Sequence, residues 1–240
     1  TTTTVAPTTT TVAPTTTTVA PTATAAACWS CAYEEATTTS TQENTTTVIS
    51  DETGNVDSND VSGTWSVDTT IGEFGIDEAS GTFVGFRVKE VLGQGIGSAT
   101  AVGRTPLVSG IVEIDGTTLI AAEIVADLTG LRTDRSMRDS RVQDALNTGV
   151  HPEATFVLAG PVDLGEGRQV QVPAPGSLTI NGVTNGVTVG LVAQLVGQIL
   201  AVVGTTDVVF SDYDVEAPTA PVVVSVEDHG IVEVQLFLTR

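Results

Sequence analysis

From Gly63 onward the chain repeats an alternation of period two, and this restricts its fold more than any other feature. Val84, Phe86 and Val88 alternate with Gly85, Arg87 and Lys89. Ile120, Ala122, Ile124, Ala126 and Leu128 alternate with Ala121, Glu123, Val125 and Asp127. Val232, Val234, Leu236 and Leu238 alternate with Glu233, Gln235 and Phe237. Successive strand residues point to opposite faces, so these runs read as strands with one dry and one wet side. Further strands are expected at Thr64–Asp68, Ala99–Ser109, Ile111–Ile114, Ala154–Val162, Ser177–Asn181, Val187–Gln194, Ile199–Ser211 and Val222–Val226. Asp115-Gly116, Gly165-Glu166-Gly167, Asn181-Gly182, Asn185-Gly186 and Asp228-His229-Gly230 read as the turns between them. Glycine at 24 of 240 residues and aromatics at 4% fit many turns and a core poor in rings. Eight or more antiparallel strands in this length predict a closed barrel or a sandwich. Thr133–Asn147 breaks the rhythm and predicts one short helix, with Thr133 or Asp134 as N-cap and Asn147-Thr148-Gly149 as its stop.

The first sixty-odd residues have a different texture. TTTTVAP occurs three times in succession, ending at Pro7, Pro14 and Pro21. The period of seven is no coiled-coil heptad, because proline breaks the helical ladder and the threonines offer no apolar seam. The composition reads as an extended, solvated stalk whose threonines suit O-glycosylation. From Glu34 to Asp60 there are seven acids and no Lys or Arg, and too little apolar surface to offset ordering entropy. Residues 1–62 are therefore expected to be a disordered linker, and 63–240 a single β domain. The chain starts at Thr1, so a leader or longer N-terminal segment is expected upstream, able to bring the domain near a membrane.

Charge narrows the partners. With 29 acidic and 9 basic residues the formal charge is −20, which opposes phosphate neutralisation and excludes nucleic acid as the natural partner. The longest apolar stretch, Val187 to Val203, is interrupted by Gly190, Gln194, Gly197 and Gln198, too often for a spanning helix.

Few constellations carry chemistry. Arg132, Arg135, Arg138 and Arg141 fall at a spacing of three, which places them on one broad helix face. They can clamp a phosphate or carboxylate head at a cavity mouth. Asp134, Asp139 and Asp144 nearly neutralise them, which favours a solvated helix face instead. Cys28-Trp-Ser-Cys31 lacks the further ligands of a zinc site and the βαβ context of a redox pair, so a tail disulfide or idle thiols are expected. His151 and His229 are isolated from any nucleophile, and no catalytic residue, metal site or cofactor is expected. Asp212, Asp214 and Glu216 lack the loop spacing of a calcium site and read as a solvated hairpin end. Asn44-Thr45-Thr46 fits an N-glycosylation acceptor.

The inward set comprises Val84, Phe86, Val88, Ile124, Leu128, Phe156, Leu158, Leu178, Ile180, Leu191, Phe210 and Leu236. An eight-stranded barrel either fills its interior with such residues or encloses one ligand, and alternation alone leaves both open.

Four segments, in order, resemble the YceI-like domain family of bacterial polyisoprenoid-binding barrels. Gly63-Thr-Trp65-Ser-Val67-Asp68 resembles its opening strand, and Thr82-Phe-Val-Gly-Phe86-Arg-Val88-Lys89 its second. Arg138-Asp139, followed by Val150-His151-Pro152 and Phe156, resembles its passage from an Arg-Asp helix into a strand. Gly176-Ser-Leu178-Thr-Ile180-Asn181-Gly182-Val183-Thr184 resembles its Gly-x-Leu-Thr-Leu-His-Gly-Val-Thr strand and turn. Asn181 and Glu90 stand where the family commonly has His, and Asn185-Gly186 where it has a basic residue and Pro. These departures touch contacts to a ligand's polar head and spare the apolar lining.

The resemblance implies an all-β fold, an antiparallel eight-stranded lipocalin-like barrel with one short helix behind the disordered tail. It further implies non-catalytic binding of an isoprenoid or fatty-acyl lipid outside the cytoplasm, in a periplasmic, secreted or surface-tethered protein. The twelve inward residues would then line the ligand and the four arginines would be its head-group clamp. The competing expectation is a filled barrel serving as an adhesion or spacer module. Ligand identity and oligomeric state are not written in the sequence.

Overall fold

The computed structural model describes residues 60–93, 97–218 and 223–240. The Thr/Pro repeats, Cys28, Cys31, Asn44 and the rest of the expected disordered tail up to residue 59 lie outside the described residues.

In chain order the strands are β1 (Gly63–Val67), β2 (Phe83–Leu92), β3 (Gly97–Thr105), β4 (Val108–Asp115), β5 (Thr118–Asp127) and β6 (Arg132–Thr133). The helix α1 (Ser136–Ala145) follows, then β7 (Glu153–Leu158), β8 (Val162–Asp163), β9 (Gln169–Ile180), β10 (Val183–Val196), β11 (Ile199–Val209), β12 (Val223–Val226) and β13 (His229–Thr239). Eight of them close a ring in the order β1-β4-β5-β7-β9-β10-β11-β13, and β13 returns to β1 through Ser66 opposite Thr239 and Val67 opposite Leu238. Every pairing is antiparallel, so the fold is the expected eight-stranded barrel with one short helix. β13 also forks. Ile231 to Gln235 pair with β2, which carries β3 and then β6 outward from the ring.

Several expected boundaries move, each for a local reason. The run Ala99–Ser109 is two strands, because Pro106 interrupts the ladder between β3 and β4. Ile120 is exposed, whereas Leu119 is buried. The β4–β5 register jumps from Glu113–Ala121 to Ile114–Leu119, and this bulge turns Ile120 out and Leu119 in while Ala122, Ile124 and Ala126 stay inward. Asn185-Gly186 is not a turn but lies inside β10, opposite Leu178 and Ser177. Asn181-Gly182 does turn, with φ of 51° and 75°, the left-handed pair that a two-residue hairpin requires. β9 begins eight residues before the expected Ser177 and contains Pro173 and Pro175. Its ladder to β7 runs only from Gly176 to Thr179, so both prolines lie beyond that ladder, Pro175 still accepting from the Ala159 N–H at 2.9 Å. The helix starts at Ser136, so that Arg135 rather than Thr133 or Asp134 occupies the N-cap position, without a side-chain cap hydrogen bond. Asp139 instead reaches back to accept from the N–H and hydroxyl of Thr133 at 2.8 and 2.7 Å.

Residues 60–62, assigned to the tail from sequence, are tied to the barrel. Arg240 donates to the carbonyls of Asp60 and Ser62 at 2.6 and 2.9 Å and stacks over the Trp65 ring, whose indole N–H donates to Val61 O at 2.7 Å. Trp65 anchors a cluster with Val108, Ile114, Leu119, Leu200, Leu236 and Leu238 at the end of the barrel that carries the β4–β5 and β10–β11 turns. At the other end Leu128 and Leu131 receive Val142 of α1. Leu178, Val208 and Tyr213 form a third cluster beside them.

The outer face of β13 departs most from the alternation. Glu233 and Gln235 lie on the face that alternation predicts to be wet, yet both are buried. The segment joining β1 to β2 folds over this face as a strap. Arg104 donates to the carbonyls of Gly75 and Ile76, and Gln235 to those of Ala79 and Gly81. Beneath the strap Glu233 accepts from Arg87 at 2.6 Å and from Arg104 at 2.9 Å, and Arg104 lies over the Phe83 ring.

Candidate functional site

The inward faces of the ring, together with β2, border a cavity of about 380 Å³, within the range of small-molecule sites. Val84, Phe86 and Val88 of β2 line it, with Ile124 of β5, Phe156 of β7, Leu178 and Ile180 of β9, Leu191 of β10 and Leu236 of β13. Leu128 and Phe210 line it from the short 3₁₀ turns that follow β5 and β11. Leu158, the twelfth residue of the inward set, instead packs against the Trp65 cluster.

Two cross-strand arrangements keep the interior open. Phe86 pairs with Gly103, and a Cβ at Gly103 would stand 2.4 Å from the Phe86 ring. The Phe156 ring lies over Gly176, diagonal to its register partner Leu178, 2.3 Å from where a Cβ would be. Each ring therefore lies down on bare backbone against the wall rather than projecting into the lumen. Leu191 similarly faces Gly204, where a Cβ would meet Leu191 Cδ2 at 2.7 Å.

Most polar groups border the cavity at its helix end, while the exposed Arg168 borders it at the end that carries the β10–β11 turn. Arg135, Arg138 and Arg141 border it with the exposed Met137, whereas Arg132 does not and donates to Leu131 O. Arg138 is not a free cation. Its Nη1 donates to Asp134 at 2.6 Å and its Nη2 to Glu90 at 2.9 Å. Glu90 is only 6% exposed and is itself part of the cavity wall. The arginine set thus divides into one residue locked between two carboxylates, two at the rim and one outside. Sequence spacing brought the arginines together but carried no sign of Glu90, which sits on a distant strand and follows the inward phase of Val84, Phe86 and Val88.

Tyr213 also contributes to the wall at this end, and its hydroxyl has no hydrogen-bond partner among the described residues. Burial, with the Asp212 charge as a lesser cause, raises its pKa above the ordinary phenol value. Asn181 donates to the carbonyls of Tyr213 and Asp214, and so braces this turn rather than facing a ligand. His151 lies against Gly182, and His229 opens β13 beside Glu227 at 3.3 Å; neither borders the cavity. Among the described residues no group of His, Cys, Asp and Glu is arranged to hold a metal ion.

An antiparallel eight-stranded ring, closed on an apolar lumen and lidded by one helix, defines a binding barrel. The model of the YceI-like domain matches residues 74–238, and the chain belongs to that family. Among solved structures it is similar to a polyisoprenoid-binding domain from Saccharophagus degradans implicated in plant cell wall breakdown. That likeness has 22% identity and a TM-score of 0.54, over 73% of this chain and 97% of the other. It is also similar to BcnA of Burkholderia cenocepacia, with 21% identity and a TM-score of 0.50 over 63% and 95%. No curated protein matches the chain.

Proposed function

We propose that this protein is a non-catalytic carrier that holds a long hydrocarbon chain, an isoprenoid or fatty-acyl lipid, inside its barrel and outside the cytoplasm. The observation that carries the reading is the cavity, whose walls from β2 to β13 are almost wholly aliphatic and aromatic. Moving each CH₂ from water into such a lumen contributes roughly 0.8 kcal/mol, so ten carbons offset the ordering cost with several kcal/mol to spare. Membership of a family that includes a polyisoprenoid-binding domain supports the ligand class. The repeated TTTTVAP stalk supports a secreted or surface-tethered site of action. The cavity favours this reading over a spacer module, which needs only a packed interior.

Native mass spectrometry after mild extraction tests it. The expected result is a bound lipid, and a rise in melting temperature when delipidated protein meets prenyl or acyl chains. Protein that emerges empty and gains no thermal stability from either class overturns the reading.

A further inference from the structure

We infer that Glu90 makes this cavity select lipids with an uncharged, hydrogen-bonding head and exclude those ending in a carboxylate or phosphate. The inference rests on the carrier reading above and concerns the polar end of the same site.

The argument is one of charge already spent. An arginine cluster near a lipid cavity suggests an anion clamp, yet among the described residues no unpaired guanidinium lies deep in the wall. Arg138 is the one clamp residue that is largely buried, and it is shared by Glu90 and Asp134. Arg138 is held between two carboxylates, Asp134 also lying 3.9 Å from the exposed Arg135, so its charge is already compensated, and a third anion entering there would meet Glu90 where water screens little. Arg135 and Arg141 carry their charges on exposed side chains at the rim, where solvent and salt weaken them.

An alcohol or amide head meets the opposite situation. Glu90 accepts only through Oε2, from Arg138, and among the described residues its Oε1 takes no hydrogen bond. A hydroxyl or amide N–H can donate to Oε1. The oxygen of the same head can accept from Arg138, whose guanidinium has five N–H groups and spends only two in these ion pairs. The pair therefore offers one acceptor and one donor, side by side, at the end of an apolar tunnel. A head with both functions satisfies them, whereas a carboxylate satisfies the donor and opposes the acceptor.

The test uses the full chain, delipidated, with three probes of equal chain length: hexadecane, hexadecan-1-ol and hexadecanoate. Binding is read by displacement of an apolar fluorophore and by native mass spectrometry, at mildly alkaline pH where the acid is ionised. The wild type is expected to prefer the alcohol to the hexadecanoate by about tenfold or more. Glu90→Gln keeps the shape and removes the charge, and should shrink that preference chiefly by admitting hexadecanoate. Equal binding of alcohol and carboxylate by the wild type overturns the inference while leaving the carrier reading intact. So does an unchanged preference in Glu90→Gln. Failure of all three probes, hexadecane included, overturns the carrier reading and this inference with it.

Discussion

Glu233 and Arg104 face each other at 2.9 Å on the outside of the barrel, and they are 1% and 2% exposed. A β-barrel normally shows water its outer face. Here the segment between β1 and β2 covers that face, and its carbonyls at Gly75 and Ile76 bind the same guanidinium. Removing one partner strands a charge in a dry site. Glu233→Ala is expected to cost about 3–5 kcal/mol in urea unfolding. Combining it with Arg104→Met should recover a large part of that loss. A Glu233→Ala protein as stable as the wild type would show that water reaches the pair.

The cavity wall gives a second prediction. Leu191 borders the lumen on β10, and Glu113 lies exposed on β4. An aspartate at Leu191 or Phe86 places a carboxylate in the tunnel and should weaken retention of hexadecan-1-ol by at least about tenfold. Glu113→Gln should leave retention unchanged. Equal effects at the two kinds of position would remove the lining assignment, and circular dichroism of each variant checks that the barrel persists.

Tyr213 predicts an alkaline effect. Among the described residues its buried hydroxyl has no partner, and burial raises its pKa above the ordinary phenol value. The folded protein therefore holds the phenol proton more tightly than the unfolded chain does. The sign follows: this contribution is complete below the unfolded value of about 10 and is lost as pH climbs through the folded one. Tyr213→Phe should remove that part of the alkaline destabilisation. Near neutral pH it should be neutral or slightly stabilising, because it deletes a polar group that makes no bond among the described residues. A marked loss of stability in Tyr213→Phe at neutral pH would reveal a partner for the hydroxyl.

The β9–β10 hairpin yields a fourth. Gly182 has φ of 75°, and a Cβ there would stand 2.6 Å from the His151 ring. Gly182→Val is expected to destabilise by roughly 1–3 kcal/mol, through backbone strain and displacement of His151. Thermal unfolding measures it, and an unchanged midpoint would mean that the turn relaxes to another type.

What the sequence revealed and what it hid divide along physical lines. Alternation identified the inward faces of β2, β9 and β13, because burial there depends on the strand's own period. It failed at Ile120, where a bulge adds one residue and inverts the phase without any compositional mark. It failed again at Glu233 and Gln235, since what buries them is an irregular strap from another part of the chain. The arginine cluster was legible as a cluster. Its ion pair with Glu90 was not, because 48 positions separate Glu90 from Arg138 and only the closure of β2 and β3 beneath α1 joins them. Asn185-Gly186 has turn chemistry yet lies in a strand, since the adjacent Asn181-Gly182 already makes the reversal and β10 then runs on against β9.

The Phe86–Gly103 and Phe156–Gly176 contacts have a consequence for how vacancy is encoded. A ring that must plug a barrel needs a bulky neighbour to prop it upright, and a ring parked flat needs a neighbour with nothing to offer. Emptiness is thus written in the chain as aromatic residues laid over missing side chains on the neighbouring strand. Swapping glycine for valine at either place would raise the ring like a shutter and convert a vessel into a rod.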